Sequence, residues 1–384
     1  MKGASRRKRQ SAAAQDRVEA TGESRALTGD GSVQRRTTPE NRFGTPTITT
    51  TTRHNVQFIS SCYTQRGPTP ARRNTPFRQV PSKRKIPPNS PLLEENIDPV
   101  RISSLLHKQW TLYSVTPMYK FSYANFKDYS KLLSAFITAE KQKGLAVEVG
   151  IDLNMKVTFS SVSGLKGSEH DQGAVFIQVT SRLEFSAPNT EEKVVWTGCL
   201  WPTFGDTDVL SCLTNDFTCL PLFFVNGLET LTALVRTWFQ KAFDCYFSRL
   251  VISARDLTWM AAMWTGCKLE RQTAATEFLF SVPRSPCGLD ISYAIHPDDA
   301  RALWESIHKS QDEVTEEEVN LFMNSLYSHF FRHFKIYLSA MRLVKVSTAV
   351  ASAHCDGKVK FLSTVHVIGV LALLTELAIN QIQY

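Results

Sequence analysis

Residues 315–362, TEEEVNLFMNSLYSHFFRHFKIYLSAMRLVKVSTAVASAHCDGKVKFL, contain a helix signal that is followed directly by strand signals. Thr315 with Glu318 three positions later is a capping box, in which each side chain accepts a hydrogen bond from a free backbone N–H at the start of a helix. An apolar stripe at helical spacing continues through Val319, Phe322, Met323, Leu326, Tyr327 and Phe330. The sequence therefore predicts a helix that begins after Thr315 and ends near Phe334.

After Phe334 the hydrophobic period changes from about 3.6 to about 2, the period of a strand with one buried face. One face of the predicted strand carries Ile336, Leu338, Ala340, Val344, Val346 and Val350. Asp356-Gly357 is a hairpin turn signal, and Val359–Leu362 returns along the first strand. The stretch predicts a long hairpin whose first strand includes Leu343–Val350.

Further helix and strand patterns precede residue 315. Helices are predicted after Asp98-Pro99, over Asn125–Lys143, over Leu228–Phe247 and after Asp298, and a terminal helix covers about 365–382. The predicted strands are Trp110–Val115, Tyr119–Tyr123, Leu145–Val149, Met155–Phe159, Ala174–Thr180, Val194–Trp201, Glu277–Val282 and Leu289–Ile295. Leu257–Cys267 suits either a buried helix or a buried strand. Strands in hairpins with interspersed helices favour an α+β fold with a mainly antiparallel sheet.

The composition changes near residue 90. Residues 1–90 carry 18 Lys and Arg against 5 Asp and Glu, a net of +13, whereas residues 91–384 carry 26 against 31, a net of −5. The first segment has few aromatic residues, so it cannot bury enough apolar surface to offset the entropy of ordering, and we expect a disordered basic tail. Residues 91–384 are long enough for a globular body, in one piece or in two sub-domains at about 91–225 and 226–384.

The cysteines and the apolar segments favour a protein of the reducing compartments. None of the eight cysteines forms a CxxC pair, which argues against a zinc site, and no secretory signal is visible. The most apolar stretch, Val365–Ile379, is too short to span a bilayer and predicts a buried helix. No membrane partner is expected.

The tail carries two kinds of short motif. Thr-Pro pairs place phosphorylation candidates at Thr38, Thr45, Thr69 and Thr75. Basic clusters typical of nuclear-import signals or phosphate-contacting patches are formed by Arg6, Arg7, Lys8 and Arg9 and by Lys83, Arg84 and Lys85. A solvated charge run without a function is the alternative for either cluster.

Motifs that carry catalysis are missing from the sequence. Gly164–Ser168 resembles a fragment of a phosphate-binding loop but lacks its spacing, and no GxSxG or kinase element is present. His329 and His333 are four residues apart on the predicted helix, yet no third metal ligand is evident, so packing histidines are favoured. The sequence predicts no catalytic residue, no metal site and no cofactor. The missing motifs argue against an enzyme.

Several long strings carry a resemblance to a known family: LLHKQWTLYSVTPMYKFSY at 105–123, AEKQKGLAVEVG at 139–150, DFTCLPLFFVNG at 216–227, TWFQKAFDCYF at 237–247, TWMAAMWTGCK at 258–268, LDISYAIHPDDARALW at 289–304, SHFFRHFKIYLSA at 328–340 and LVKVSTAVASAHCDGKVK at 343–360. From about residue 83 onward the chain resembles the centromere protein L family. The resemblance implies a non-enzymatic subunit of the inner kinetochore, located at the centromere in the nucleus and supporting kinetochore assembly and chromosome segregation in mitosis.

The resemblance also implies partners. The family pairs with centromere protein N through C-terminal sheet regions, and the pair helps to connect centromeric nucleosomes to centromere protein C and to the remaining network. The two subunits together are expected to line a basic passage for DNA.

The predicted hairpin offers an edge for such pairing, because a long hydrophobic edge strand needs a cover and strand addition supplies one. The candidate partner-binding residues are Leu343, Lys345, Val346, Val350, Val359 and Phe361. The alternative is that these are ordinary inner-sheet residues.

The candidate DNA contacts in the body are Lys141, Lys143, Arg342, Lys358 and Lys360. A lysine at a helix C-terminus is expected from the helix dipole alone, and the hairpin lysines also suit a solvated edge. Because the body is net negative, DNA contact should need the charge of the partner or of the tail. The alternative function is a stand-alone nucleic-acid-binding protein that acts mainly through its basic tail.

Overall fold

The computed structural model describes residues 83–85, 99–143, 154–162, 173–182, 192–203, 214, 216–269, 274–282, 289–309 and 313–382. All of them belong to one compact unit, Asn74–Tyr384. The predicted strand Leu145–Val149, the cluster Arg6–Arg9 and the threonines at 38, 45, 69 and 75 lie outside the described residues, as does nearly all of the predicted tail.

The described residues contain helices and strands throughout. The helices are α1 (Pro99–Leu105), α2 (Phe126–Gln142), α3 (Glu229–Phe243), α4 (Ala254–Gly266), α5 (Pro297–Ile307), α6 (Glu316–Phe334) and α7 (Val367–Gln381). The strands are β1 (Lys83–Lys85), β2 (Gln109–Val115), β3 (Met118–Tyr119), β4 (Asn154–Val162), β5 (Ala174–Arg182), β6 (Lys193–Trp201), β7 (Phe217–Thr218), β8 (Leu222–Gly227), β9 (Phe247–Arg249), β10 (Thr276–Ser281), β11 (Asp290–Ile295), β12 (Glu313–Thr315), β13 (Arg342–Ser347), β14 (Ala351–His354) and β15 (Lys358–Phe361).

One large antiparallel sheet runs through the body in the order β11-β10-β13-β14-β15-β2-β8-β6-β5-β4, and β9 also pairs with β2. The predicted α+β fold with a mainly antiparallel sheet is confirmed. A single sheet joins the N-terminal and C-terminal halves through the β15–β2 ladder. The division of the body near residue 225 stays a prediction.

Two apolar cores lie on opposite faces of this sheet. Leu112 and Phe224 belong to the first core and their neighbours Tyr113 and Phe223 to the second, since successive strand residues point to opposite faces. Helices α4, α5, α6 and α7 contribute to the first core, whereas α2 and α3 contribute to the second. Strands β10, β13, β14 and β15 supply residues to the first core, so their other face lies outside both cores.

The predicted helix that follows Thr315 is confirmed as α6, and its capping box is complete. The Thr315 N–H donates to Glu318 Oε2 over 2.9 Å, and the Glu318 N–H donates to Thr315 Oγ1 over 3.3 Å. The helix ends at Lys335, which adopts the left-handed conformation.

The prediction of one long strand after α6 is wrong. Leu338–Ala340 forms a short 3₁₀ turn that inserts Leu338 into the first core, and β13 covers only Arg342–Ser347. Pairing with β10 shifts between Leu279↔Lys345 and Phe280↔Leu343, so Val344 is an extra residue that interrupts the two-residue period. The chain then turns at Thr348, whose hydroxyl accepts from the Val350 N–H over 3.2 Å.

Other boundaries differ for local reasons. The Asp356-Gly357 turn is confirmed, but it joins β14 to β15. Gly357 has φ +71, and a Cβ there would clash with the Leu250 carbonyl, so only glycine fits.

The predicted helix to Phe247 ends earlier, at the left-handed Asp244, and the predicted strand over Tyr119–Tyr123 is replaced by a short strand and a 3₁₀ turn. The ambiguous stretch Leu257–Cys267 lies in α4, and the terminal apolar stretch forms the buried α7.

We expect Thr315→Ala to lower the free energy of unfolding by about 1 kcal/mol, because the Glu318 N–H loses its acceptor at the start of α6. Thr315→Ser keeps the hydroxyl and should cost less. Chemical denaturation of the purified chain measures both. Thr237→Ala is the matched control, since its exposed hydroxyl bonds only within α3. Equal losses for Thr315→Ala and Thr237→Ala would contradict the role of the cap.

Candidate functional site

The predicted partner-binding hairpin lies inside the sheet. Strand β13 is paired with β10 and β14, and β15 is paired with β14 and β2, so the assumption of a free edge is wrong. The five apolar residues are each 3% exposed or less in the first core: Leu343, Val346, Val350, Val359 and Phe361. The alternative interpretation, ordinary inner-sheet residues, describes them correctly.

The free edge in the C-terminal half of the sheet is β11. Among the described residues, its only ladder partner is β10, whereas β4 ends the sheet on the N-terminal side. Asp290, Ser292 and Ala294 of β11 are exposed, and Tyr293 is buried. An edge strand presents unpaired N–H and C=O groups, which another strand can satisfy.

Beside β11 lies an aromatic patch, which we define as Tyr293, His329, Phe330, His333 and Phe334. The Tyr293 hydroxyl is 2.8 Å from His329 Nδ1, and the rings of His329 and His333 are 4.7 Å apart at their centroids. The rings of Phe330 and Phe334 are tilted against each other with centroids 4.6 Å apart, and Phe334 is 61% exposed. Burial raises the pKa of Tyr293. His329 is therefore occupied in packing against the edge strand.

The helix end next to this patch exposes more apolar surface. Tyr337 is exposed and stacks on Phe331 with ring centroids 4.2 Å apart, and the Lys335 ammonium lies over the same Phe331 ring. Clustered exposed aromatic residues next to a free sheet edge are typical of an interaction surface.

A second surface, the basic face, lies opposite the first core on β13, β14 and β15. In one row across the strands, Lys345 pairs with His354 and His354 with Lys358. In the next row, Ser347 pairs with Ser352 and Ser352 with Lys360. These side chains are half-buried or exposed. Two of the predicted DNA contacts, Lys358 and Lys360, therefore share one face with Lys345.

The remaining predicted DNA contacts lie elsewhere. Arg342 is exposed at the start of β13, and its charge acts on the Cys355 thiol. Lys143 pairs with Glu140 over 2.6 Å at the end of α2, and Lys141 Nζ lies 3.3 Å from Met155 Sδ. Desolvation lowers the pKa of Lys141. The fold does not bring these two lysines to the basic face, because α2 packs on β4.

Three side chains of the kind that can bind a metal ion lie together at the β14–β15 turn. The ligand atoms of His354, Cys355 and Asp356 all lie within 4.8 Å of one another. His354 Nδ1, however, accepts a hydrogen bond from the Asp356 N–H over 3.1 Å, so its lone pair already stabilises the turn. Burial and, next, the Asp356 carboxylate raise the pKa of Cys355, which keeps the thiol protonated. The cluster is explained by turn structure.

The predicted import cluster Lys83–Lys85 forms β1 and pairs with β12. Lys83 is exposed and lies 3.6 Å from Glu313, but the Arg84 side chain is only 4% exposed. Sequence reasoning missed this contact, because nothing local marks an arginine for burial against helices far along the chain.

A free sheet edge beside an aromatic patch, together with an uncovered basic face, is typical of the class of proteins that bind other macromolecules. The family model for centromere protein L matches residues 104–379. Centromere protein L of Xenopus tropicalis is 60% identical over 347 residues, covering 90% of this chain and 99% of the relative. The Homo sapiens protein of the same name is 59% identical over 85% of this chain and 94% of its own length, and that of Danio rerio is 44% identical over 78% and 82%.

The chain belongs to the centromere protein L family and is thus a protein of the centromere and kinetochore. The family is a structural kinetochore component rather than a known enzyme family. An alignment of 347 residues is longer than the body, so the similarity extends into the tail, beyond the start near residue 83 that the sequence strings indicated. Within the described residues, the helices are too short or too polar to cross a membrane.

We expect Phe361→Ala to lower the free energy of unfolding by about 3–5 kcal/mol, because it removes a fully buried ring from the first core. Lys345→Ala, on the other face of the neighbouring strands, should change it by about 0.5 kcal/mol or less. Urea denaturation of both variants checks this. A loss below 1 kcal/mol for Phe361→Ala would contradict its place in the core.

Proposed function

We propose that this chain is a non-enzymatic structural subunit of the inner kinetochore that pairs with centromere protein N. In the nucleus, the pair helps to link centromeric nucleosomes to centromere protein C and to the remaining network, and thereby supports kinetochore assembly and chromosome segregation in mitosis. The observation that carries the pairing is the free β11 edge next to the aromatic patch.

The proposed site of pairing with centromere protein N is the β11 edge and not the predicted hairpin, whose strands lie inside the sheet. A strand of the partner added to β11 satisfies the outward backbone groups, which gives affinity without a particular sequence. Specificity then comes from side chains that pack on Tyr293, Phe334 and their neighbours, since aromatic residues in desolvated contacts dominate interface energies. Such strand addition extends the sheet of this chain into that of the partner.

We expect co-expression of the full chain with centromere protein N to give a 1:1 complex in size-exclusion chromatography with light scattering. Phe334→Glu should weaken that complex at least tenfold, because it places a carboxylate in the aromatic contact. Leu321→Glu is the matched control: Leu321 is an exposed apolar residue near the start of the same helix, whereas Phe334 is its last residue.

Both variants should keep the far-ultraviolet circular dichroism and the thermal midpoint of the parent chain. If Phe334→Glu bound centromere protein N as tightly as the parent chain, the aromatic patch would lie outside the interface. The pairing itself would not be contradicted. A chain that stays monomeric in the presence of centromere protein N would overturn the pairing proposal.

The basic face is proposed as the contribution of this subunit to a DNA passage that the pair lines together. Lys345 lies on β13 and Lys358 and Lys360 on β15, with β14 between them, and the two rows hold no acidic residue from β13 to β15; Glu277 of β10 follows Ser347 in the second row. The body as a whole is net −5, so these lysines add local positive potential to a partner's charge rather than bind DNA alone. Arg342 stands near them, whereas Lys141 and Lys143 form a separate candidate contact.

Replacing Lys345, Lys358 and Lys360 together by alanine should reduce the slope of log K against log salt for DNA binding by the complex by about 3, since each phosphate contact contributes roughly 0.9. Lys127→Ala with Lys131→Ala on exposed positions of α2 is the control and should leave the slope unchanged. Fluorescence anisotropy of labelled DNA over a salt series measures the slope for each variant. If deletion of residues 1–82 abolishes binding and the triple variant has no effect, the tail-based nucleic-acid-binding function is the correct one.

A further inference from the structure

The short strand β1 is held against the body through one buried arginine. β1 pairs antiparallel with β12 in the register Lys83↔Thr315, Arg84↔Val314 and Lys85↔Glu313, in a two-stranded sheet apart from the large one. Val314 is fully buried at the centre of this pairing. The backbone ladder sets the position of Arg84, and the side chain then enters the body.

Arg84 occupies what we call the arginine pocket, made by Asp256 and Trp259 of α4 and Glu376 of α7. The guanidinium carbon lies 5.3 Å from the centroid of the Trp259 ring. Arg84 Nη2 is 3.7 Å from Asp256 Oδ1 and 3.5 Å from Glu376 Oε1. The pocket therefore joins two helices and β12 through a residue of the segment that precedes the body.

The chemistry of this pocket selects arginine. A planar guanidinium can lie against an indole ring and face two carboxylates at once, whereas the compact ammonium of lysine lacks the planar group. Without the arginine, two carboxylates would face each other beside an apolar ring. A basic extended segment with a central arginine is the ligand that fits both the ladder and the charge.

The polar contacts of Arg84 with the two carboxylates are long. Both ion pairs are longer than a hydrogen bond, and Nε, Nη1 and Nη2 of Arg84 have no hydrogen-bond partner among the residues that the structure describes. Burial of a charged group recovers its desolvation cost only when direct hydrogen bonds accompany the ion pairs. The exposed pair of Lys83 with Glu313 adds little.

We infer that β12 and the arginine pocket form a docking groove for an arginine-centred basic peptide, and that residues 83–85 occupy it reversibly in cis. Docked and free states of this segment then exclude each other. An import receptor or a polyanion that reads Lys83, Arg84 and Lys85 together must first withdraw Arg84 from the pocket. The body thereby controls whether this basic cluster is available.

Limited trypsin digestion of the full chain, followed by mass spectrometry, tests the inference. In the unaltered chain, cleavage after Lys83, Arg84 or Lys85 should be at least tenfold slower than cleavage after Arg72 or Arg73. Glu376→Gln should raise the rate at 83–85 at least fivefold, because one of the two carboxylates loses its charge. Glu316→Gln is the matched control, since Glu316 pairs with Arg255 at the surface near β12, and it should change nothing.

Cleavage after Arg332 within α6 separates release from unfolding, since only a destabilised body would expose that bond faster. Arg84→Lys keeps the charge and the cleavage site, and it should be cut faster than the parent chain. Equal rates at 83–85 and at 72–73 in the unaltered chain, or unchanged protection in both Glu376→Gln and Arg84→Lys, would overturn the inference.

Discussion

The ladder between β15 and β2 is the contact on which the rest of the body depends. It pairs Lys358 with Thr111 and Val359 with Trp110, residues from opposite ends of the folded chain. Strand β2 also pairs with β8 and β9, so it is held on both edges. The Trp110 indole N–H donates to the Leu105 carbonyl over 2.8 Å in the buried interior. In the strand order of the sheet, the two halves are joined through the β15–β2 ladder.

The arrangement of helices explains why the surfaces lie where they do. In the C-terminal half, four helices cover one face, and the other face of β13, β14 and β15 carries polar side chains such as Lys345, His354 and Lys358. In the N-terminal half, α2 and α3 cover that other face, while residues of β5, β6 and β8 such as Phe176, Trp201 and Phe224 still belong to the first core. The first core thus continues across both halves of the sheet, whereas the second core covers only the N-terminal half and leaves a polar strip on the face of β13, β14 and β15. The basic face is that strip.

Local signals in the sequence predicted most elements well. The capping box of α6, the β14–β15 turn and the stripe of α3 each depend on residues a few positions apart, and each formed as expected. The sheet edge was misjudged because an inner hydrophobic strand and an exposed one have the same alternation, and the pairing that distinguishes them joins Lys345 to residue 279 and Lys358 to residue 111. The burial of Arg84 is non-local in the same way, since its partners are at 256, 259 and 376. Only the family resemblance, which rests on whole strings, carried information beyond local patterns.

The β15–β2 ladder also has a consequence for the synthesis of the protein. A ribosome releases β2 more than two hundred residues before β15, and at about 5–20 residues per second the delay is on the order of tens of seconds. During that time the backbone of Thr111 and its neighbours lacks its final partner on that edge. The nascent chain therefore carries an open strand rich in tryptophan, tyrosine and leucine, and such strands are prone to wrong pairing. The order of the strands thus sets a delay before this edge of β2 is covered, and that delay does not depend on any binding partner.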